Sequence, residues 1–285
     1  MDNILEIENL SKSYEGFELK DINIVIPKGH VFGLIGENGA GKTTTIKAIL
    51  NLINTNSGNI KIFGLDNIKN EREVKESIGV VLDDSFLPGY YNPVDINRVM
   101  KVIHKNWSEK LYYNYLDKFK LPKNKMIKHY SKGMFIKLKI AVSLSFNPKF
   151  LILDEPTSGL DPIARSDMLD IFDEYMKDKE HAILISSHIT TDLERIADDI
   201  IFMDEGKVVL IKSRKELEND YLLVKCSEEE FNKIEKSDLI KYKKNRFEYQ
   251  LLVSSNLDIE NKYNLKEYKK PTLEEIMILY MRGEG

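Results

Sequence analysis

Cysteine is nearly absent from this 285-residue chain: Cys226 stands alone, which excludes an intrachain disulfide and fits a reducing compartment. Long apolar runs are missing as well. The longest candidates, Ile140–Phe146 and Ile276–Met281, fall far short of the roughly 18–20 residues that cross a bilayer. Met1-Asp2-Asn3 lacks the basic and apolar regions of a secretory signal, so the chain is expected to remain in the cytoplasm, and any role at a membrane requires another protein. Neither charge sign is in large surplus. With 42 basic and 46 acidic residues the net charge is -4, and no basic stripe announces nucleic acid. Lysine-rich patches such as Lys241–Lys244 read as solvated faces. There is no internal repeat and no low-complexity tract. Length suggests one or two domains, with enough chain to bury a core without disulfides or metals.

Against these absences stands the stretch Gly36-Glu37-Asn38-Gly39-Ala40-Gly41-Lys42-Thr43. It fits G-x-x-x-x-G-K-[ST], a loop that wraps nucleotide phosphates. Glycines such as Gly36, Gly39 and Gly41 let backbone N–H groups approach phosphate oxygens. Asn38 and Ala40 complete the cradle. Lys42 supplies a point charge for the β- and γ-phosphates, and Thr43 offers a hydroxyl to Mg²⁺. The short apolar run His30–Ile35 precedes the loop. Thr44–Leu52 reads as a helix whose positive end faces the phosphates.

Elsewhere, Ile4–Leu10 and Glu18–Ile26 alternate as strands around a turn at Glu15-Gly16, and Gly58–Phe63 and Ile78–Leu82 are further strands. Ile96, Val99, Met100 and Ile103 form one helical stripe within an insertion spanning about Pro88 to Ser131. Leu111, Tyr115 and Phe119 continue the spacing until Pro122 ends that helix. Buried strands then alternate with helices: Phe150–Leu153, Pro162–Met176, Ala182–Ser186, Ile189–Ala197 and Ile200–Met203. That order predicts a sheet covered on both faces. Gly206-Lys207 is expected to turn a hairpin into Val208–Ile211. After about Asn219 a small α+β appendage is expected. Its strands are Tyr221–Lys225 and Phe247–Val253, with a helix at Glu228–Lys236 between them and a last helix, Thr272–Met281, with Pro271 near its start.

A second constellation ends the strand at Asp154-Glu155. Asp154 can hold Mg²⁺ through its water shell, and Glu155 can polarise a water for attack on the γ-phosphate. Acids are also common at strand ends for no catalytic reason. His188 ends another buried strand at the same inferred edge. A lone histidine is more often structural, but one placed there can contact the γ-phosphate and orient the water.

From about Ile4 to Leu217 the chain resembles the ATP-binding subunits of ATP-binding-cassette transporters, exporter type. Leu151-Ile152-Leu153-Asp154-Glu155-Pro156 follows the phosphate loop, and Ser158-Gly159-Leu160-Asp161 matches the family's D-loop. His188 matches the switch histidine, and Tyr14 sits where the family stacks an aromatic on adenine. Tyr130-Ser131-Lys132-Gly133-Met134 occupies the place of the Leu-Ser-Gly-Gly-Gln signature, so Ser131 and Gly133 would cover the γ-phosphate bound by an opposite subunit. The resemblance implies a P-loop NTPase of mixed sheet core, antiparallel β subdomain and helical subdomain, over residues 1–218, with an extension over 219–285. It implies ATP, Mg²⁺, a head-to-tail dimer of identical or related chains, and a separately encoded permease that holds the chain at the inner face of the membrane.

Two departures stand out. Lys132 and Met134 replace signature glycine and glutamine. Asp83 stands where the Q-loop glutamine belongs; it can bind Mg²⁺ through water but cannot donate as an amide does, and the neighbouring Asp84 is the alternative residue to face the membrane partner. Two other functions compete. One is a soluble cassette ATPase acting on ribosome or DNA, whose relatives usually carry two cassettes or a long coiled-coil insertion. The other is a regulator that binds ATP without turnover, against which Asp154, Glu155 and His188 speak.

Overall fold

The computed structural model describes residues 3–82 and 87–284. It opens with antiparallel strands β1 (Asn3–Tyr14) and β2 (Phe17–Pro27) around the Glu15-Gly16 turn. Alternation buries Leu19, Ile22, Ile24 and Ile26 on one face of β2 while charged neighbours stay outside. The fully buried β3 (Val31–Ile35) leads through the glycine-rich loop to α1 (Lys42–Ile49). Then β4 (Ser57–Ile62) returns to β1 and β5 (Leu65–Asp66) extends the edge, giving an antiparallel sheet ordered β2-β1-β4-β5.

After α2 (Glu71–Lys75) and β6 (Ile78–Val81) the chain turns helical, with α3 (Pro93–Ile103) and α4 (Glu109–Lys118). A capping box between Asn92 and Asp95, with Pro93 in the first turn, starts α3; the Ser108 hydroxyl starts α4. The buried Tyr112 hydroxyl donates to the Pro93 carbonyl at 3.1 Å and ties the two helices together. There follow α5 (Lys132–Leu144), β7 (Phe150–Asp154), α6 (Pro162–Tyr175), β8 (Ala182–Ser186), α7 (Thr190–Ile196), β9 (Asp199–Asp204) and β10 (Lys207–Ser213).

These strands complete a sheet ordered β10-β9-β3-β8-β7-β6, parallel except for β10. Every residue of β3, β7 and β8 is buried, as expected of strands covered on both faces. Because β8 lies between β3 and β7, the loops leaving all three open on one edge. The hairpin into β10 turns at Glu205-Gly206, both at positive φ, with Lys207 already paired to Asp204; the turn is one residue earlier than the sequence suggests.

The last part comprises α8 (Arg214–Asn219), β11 (Tyr221–Cys226), α9 (Glu228–Phe231), β12 (Leu239–Lys244), β13 (Tyr249–Ser254), α10 (Ile259–Tyr263), β14 (Tyr268–Lys269) and α11 (Leu273–Arg282). Its sheet is ordered β12-β13-β11-β14. Two expectations change here. The helix expected over Glu228–Lys236 stops at Phe231, followed by a turn that buries Ile234. The lysine patch Lys241–Lys244 belongs to an edge strand, where lysines guard against strand addition. The last helix lies where the sequence places it, with Pro271 just before it and Thr272 and Glu275 starting it with a capping box. Leu223 and Leu252, paired across β11 and β13, face the main core together with Leu273, Ile276 and Leu279 of α11. Val224, Leu251 and Val253 face a second, local core.

Candidate functional site

The loop after β3 is shaped by what surrounds it. Gly41 has φ +107°, a conformation that side-chain-bearing residues rarely adopt, and a Cβ there would come within 2.6 Å of a Leu19 methyl, which would have to shift. Gly36 passes so close to the Met203 carbonyl that a Cβ would sit 2.3 Å from it. The Glu37 carbonyl receives the Ala40 N–H at 3.1 Å, and the Gly206 N–H donates to the Ala40 carbonyl at 3.1 Å. The loop is thereby fastened to the β9–β10 turn, and α1 begins directly at Lys42.

Lys42 is 7% exposed, and its Nζ donates to the Gly36 carbonyl at 2.6 Å and the Glu37 carbonyl at 3.2 Å. Burial lowers its pKa from the usual lysine value, while the charges of Glu155 and Asp154 pull it back up. An ammonium hydrogen-bonded to two backbone carbonyls at a glycine-rich loop suits a negatively charged ligand.

The Thr43 hydroxyl donates to Asp154 Oδ2 at 2.9 Å, joining α1 to the end of β7. The other oxygen, Oδ1, receives the Ser186 hydroxyl at 2.5 Å. Ser186 is directly opposite Asp154 in the β7–β8 register, and its Oγ also accepts the Glu155 N–H at 3.0 Å. Glu155 itself sits at φ +51°, a left-handed conformation unusual for a side-chain-bearing residue at a strand end. That turn sends its carboxylate toward His188, whose Nδ1 lies 2.6 Å from Glu155 Oε2. Ser186 thus orients both acids, a part that sequence reading missed; its only signal was a hydroxyl inside a buried strand ending two residues before His188.

A cleft of about 390 Å³ opens over these groups, lined by Phe17, Asn38, Gly39, Gly41, Lys42, Thr43, Thr44 and Glu155. Tyr14 is not in that lining. It is half exposed under the Lys12 ammonium, while its cross-strand partner Phe17 faces the cleft. Ala40 is buried below the loop.

Ser131, Gly133 and Asp161 lie elsewhere. The Ser131 hydroxyl accepts the Met134 N–H at 3.2 Å and caps α5. Asp161 caps α6 by accepting from Ile163 and Ala164, and the Ala164 N–H chiefly holds its carboxyl below the usual range. The two segments touch: Leu160 packs at Gly133, and the Lys132 side chain lies across Gly159. Behind them, the buried Asp192 accepts from Thr157 Oγ1 at 2.7 Å and from Arg165 Nε at 2.5 Å, fastening the loop after β7 to α6 and α7. Asp83 lies outside the described residues.

The hydroxyl of Thr43 and the carboxylate of Asp154 are hard oxygen donors of the kind Mg²⁺ takes. Among the described residues no group of three or more His, Cys, Asp or Glu gathers to make an all-protein cage. Such a two-residue set fits an ion that phosphate oxygens and water complete.

The family profile described as ABC transporter matches residues 19–158. The chain is 35% identical to the bacitracin transport ATP-binding protein BcrA of Bacillus licheniformis, over 73% of this chain and 69% of that one. It is 38% identical to the lantibiotic transport ATP-binding protein SrtF of Streptococcus pyogenes, over 76% and 93%. A solved structure described as the ATP binding subunit of an ABC transporter superposes with a TM-score of 0.69 at 28% identity, over 75% of this chain and 91% of that one. This chain belongs to the ATP-binding subunits of ABC transporters, and it is an ATPase of that family.

Proposed function

With that membership as premise, we propose that the chain drives a separately encoded transmembrane permease, working as an exporter, through Mg²⁺-dependent hydrolysis of ATP. Among the described residues no helix is long and apolar enough to cross a membrane, so the path for cargo is assigned to the permease and the chain to its inner, cytoplasmic face. Relatives named for the transport of bacitracin and of a lantibiotic support a membrane partner over a ribosome or DNA.

The roles follow from position. The N–H groups of Gly39 and of Gly41 to Thr44, with the Lys42 ammonium, bind the phosphates, and Asn38 borders them. Thr43 and Asp154 hold Mg²⁺, which when bound supplies positive charge against the phosphate oxygens. Glu155 takes the proton of the attacking water, and His188, bonded to it, orients that carboxylate and the γ-phosphate. Water adds to the γ-phosphorus as the bond to the β,γ-bridging oxygen breaks, giving ADP and phosphate. Tyr14, beside Phe17 at the mouth of the cleft, stacks on adenine. Ser131, Gly133 and Asp161, absent from the cleft of their own chain, serve the nucleotide of a second copy arranged head to tail. Residues 1–218 form the ATP-binding domain, with 88–131 as its helical part, and 219–285 form the extension.

The observation that carries the reading is the Thr43–Asp154 bond beneath a cleft that Lys42 and Glu155 also line. Phosphate release from ATP by the purified chain, with and without Mg²⁺, tests the chemistry; absence of release in Mg²⁺ counts against it. Co-purification with a multi-span membrane protein tests the partner, and ribosomes or DNA recovered instead would reject it.

A further inference from the structure

The last helix reaches the phosphate loop. Arg282 Nε donates to Glu37 Oε1 at 2.8 Å, and one terminal nitrogen lies 2.5 Å from the same oxygen, across 245 residues of chain. Glu37 is the second residue of the loop, and its carbonyl receives the Ala40 N–H and, at 3.2 Å, Lys42 Nζ, whose shorter bond goes to Gly36. The helix that brings Arg282 there is firmly seated. Leu273, Ile276 and Leu279 are buried in the main core, and the Tyr280 ring stacks on Phe202 at 6.0 Å. Phe202 is the register partner of Ile35, the residue just before the loop. At the other end the Leu273 N–H donates to Glu194 on α7, the helix that follows His188. The end of the chain is also held, because Glu284 pairs with Tyr242 of β12 through backbone and side chain.

The charge at this spot has a consequence for the ligand. Glu37 is a carboxylate at the lip of a loop that receives a triphosphate. Asp204 and Glu205 lie on the neighbouring turn, and burial, with help from the charges of Glu205 and Glu37, raises the Asp204 carboxyl above the usual range. Like charges so close to the entry oppose an anion, and the guanidinium removes one of them.

Resting on the ATP-binding reading above, we propose that Arg282 is a positioning residue for ATP: it neutralises Glu37 and fixes one of the two residues whose carbonyls Lys42 is bonded to, so that the C-terminal helix tunes the affinity of the phosphate loop. Both partners are well exposed, which places the effect in the range of a surface pair, about twofold to fivefold in affinity at low salt. Screening shrinks it as salt rises.

The test compares wild type with Arg282→Ala, Arg282→Lys and the double variant Glu37→Gln with Arg282→Ala, each checked by thermal melting. Arg282→Ala is expected to raise the KM for ATP about twofold to fivefold with the change absent from kcat. Lysine keeps most of the wild-type KM. Adding Glu37→Gln to Arg282→Ala brings KM back toward wild type, since no carboxylate then needs a partner. A wild-type KM in Arg282→Ala overturns the proposal, and so does a raised KM that Glu37→Gln leaves in place. A wild-type chain that releases no phosphate speaks against the hydrolysis reading alone, because binding of a fluorescent ATP analogue to the same proteins still reads the effect of Arg282.

Discussion

Glu155 and His188 are joined at 2.6 Å although they leave different strands, and the left-handed backbone of Glu155 makes the meeting possible. A glutamine at 155 keeps the size and the neighbours but no longer accepts a proton. Glu155→Gln is therefore expected to lose about 10²–10⁴-fold in phosphate release while still binding ATP. His188→Ala leaves the base present but unheld, with a loss near the low end, about 10²-fold. Full turnover in Glu155→Gln would remove the base from that residue.

Ser186 offers a second, less obvious target. Its hydroxyl donates to Asp154 and accepts from the Glu155 N–H, and the Asp154 carboxylate is buried. Ser186→Ala leaves the buried Asp154 Oδ1 without that partner, at a stability loss of about 1–3 kcal/mol, while the Glu155 N–H keeps its bond to the residue 186 carbonyl at 3.2 Å. Because Asp154 loses its orientation, the Mg²⁺ concentration for half-maximal activity is expected to rise about tenfold. A Mg²⁺ titration of phosphate release, with a melting curve beside it, separates the two effects; an unshifted titration would limit Ser186 to a structural part.

Asp192 is a buried carboxylate held by Thr157 and Arg165. Taking away the arginine leaves that charge short of a partner, so Arg165→Ala is expected to lose about 1–3 kcal/mol in denaturant unfolding. Arg165→Lys restores the charge but not the planar fork that also reaches Thr191, and recovers only part. Unfolding at the wild-type midpoint in Arg165→Ala would show that Asp192 has other support.

Burial pushes the Cys226 thiol up to about 11, with the charges of Glu230 and Glu248 adding to the rise. A folded value above the unfolded one means that the folded state holds its proton more tightly. This stability is present in full below the ordinary thiol range and is lost as pH climbs through the folded value. The expected outcomes are negligible labelling of the native protein by a thiol reagent at pH 8, fast labelling in denaturant, and a fall in unfolding midpoint between about pH 9 and pH 11. Rapid labelling of the native protein at pH 8 would contradict the burial.

What the sequence made legible follows from how local each feature is. The loop Gly36–Thr43 and the pair Asp154-Glu155 are contiguous, so residue type and order suffice to place them on a strand, a turn and a helix. Strands β3, β7 and β8 show in their unbroken apolar runs because both faces are covered. The strand β12 escaped notice because its lysines, suited to an exposed edge, look like a solvated loop. Ser186 and Phe17 act through neighbours in space: one faces Asp154 across a parallel pair, the other enters the cleft from the antiparallel sheet. The Arg282–Glu37 contact depends on how the last helix packs, and periodicity carries no record of it.

The arrangement of the signature segment supports one more prediction. Ser131 caps its helix, and Lys132 and Gly133 rest on Gly159 and Leu160, so the segment is held firmly but outside the cleft that Lys42 lines. If a second copy supplies Ser131 to that cleft, Ser131→Arg should abolish turnover while each chain keeps its own phosphate loop, and Lys42→Ala should abolish it for the opposite reason. Mixing the two dead variants forms hybrid pairs with one composite site free of either change, because a two-fold pair places loop and signature from different chains in each site. The expected recovery is about a quarter of wild-type phosphate release, since about half of the pairs are hybrids and each has one working site. No recovery, with hybrid pairs detected by crosslinking, would place Ser131 and Lys42 in separate functions.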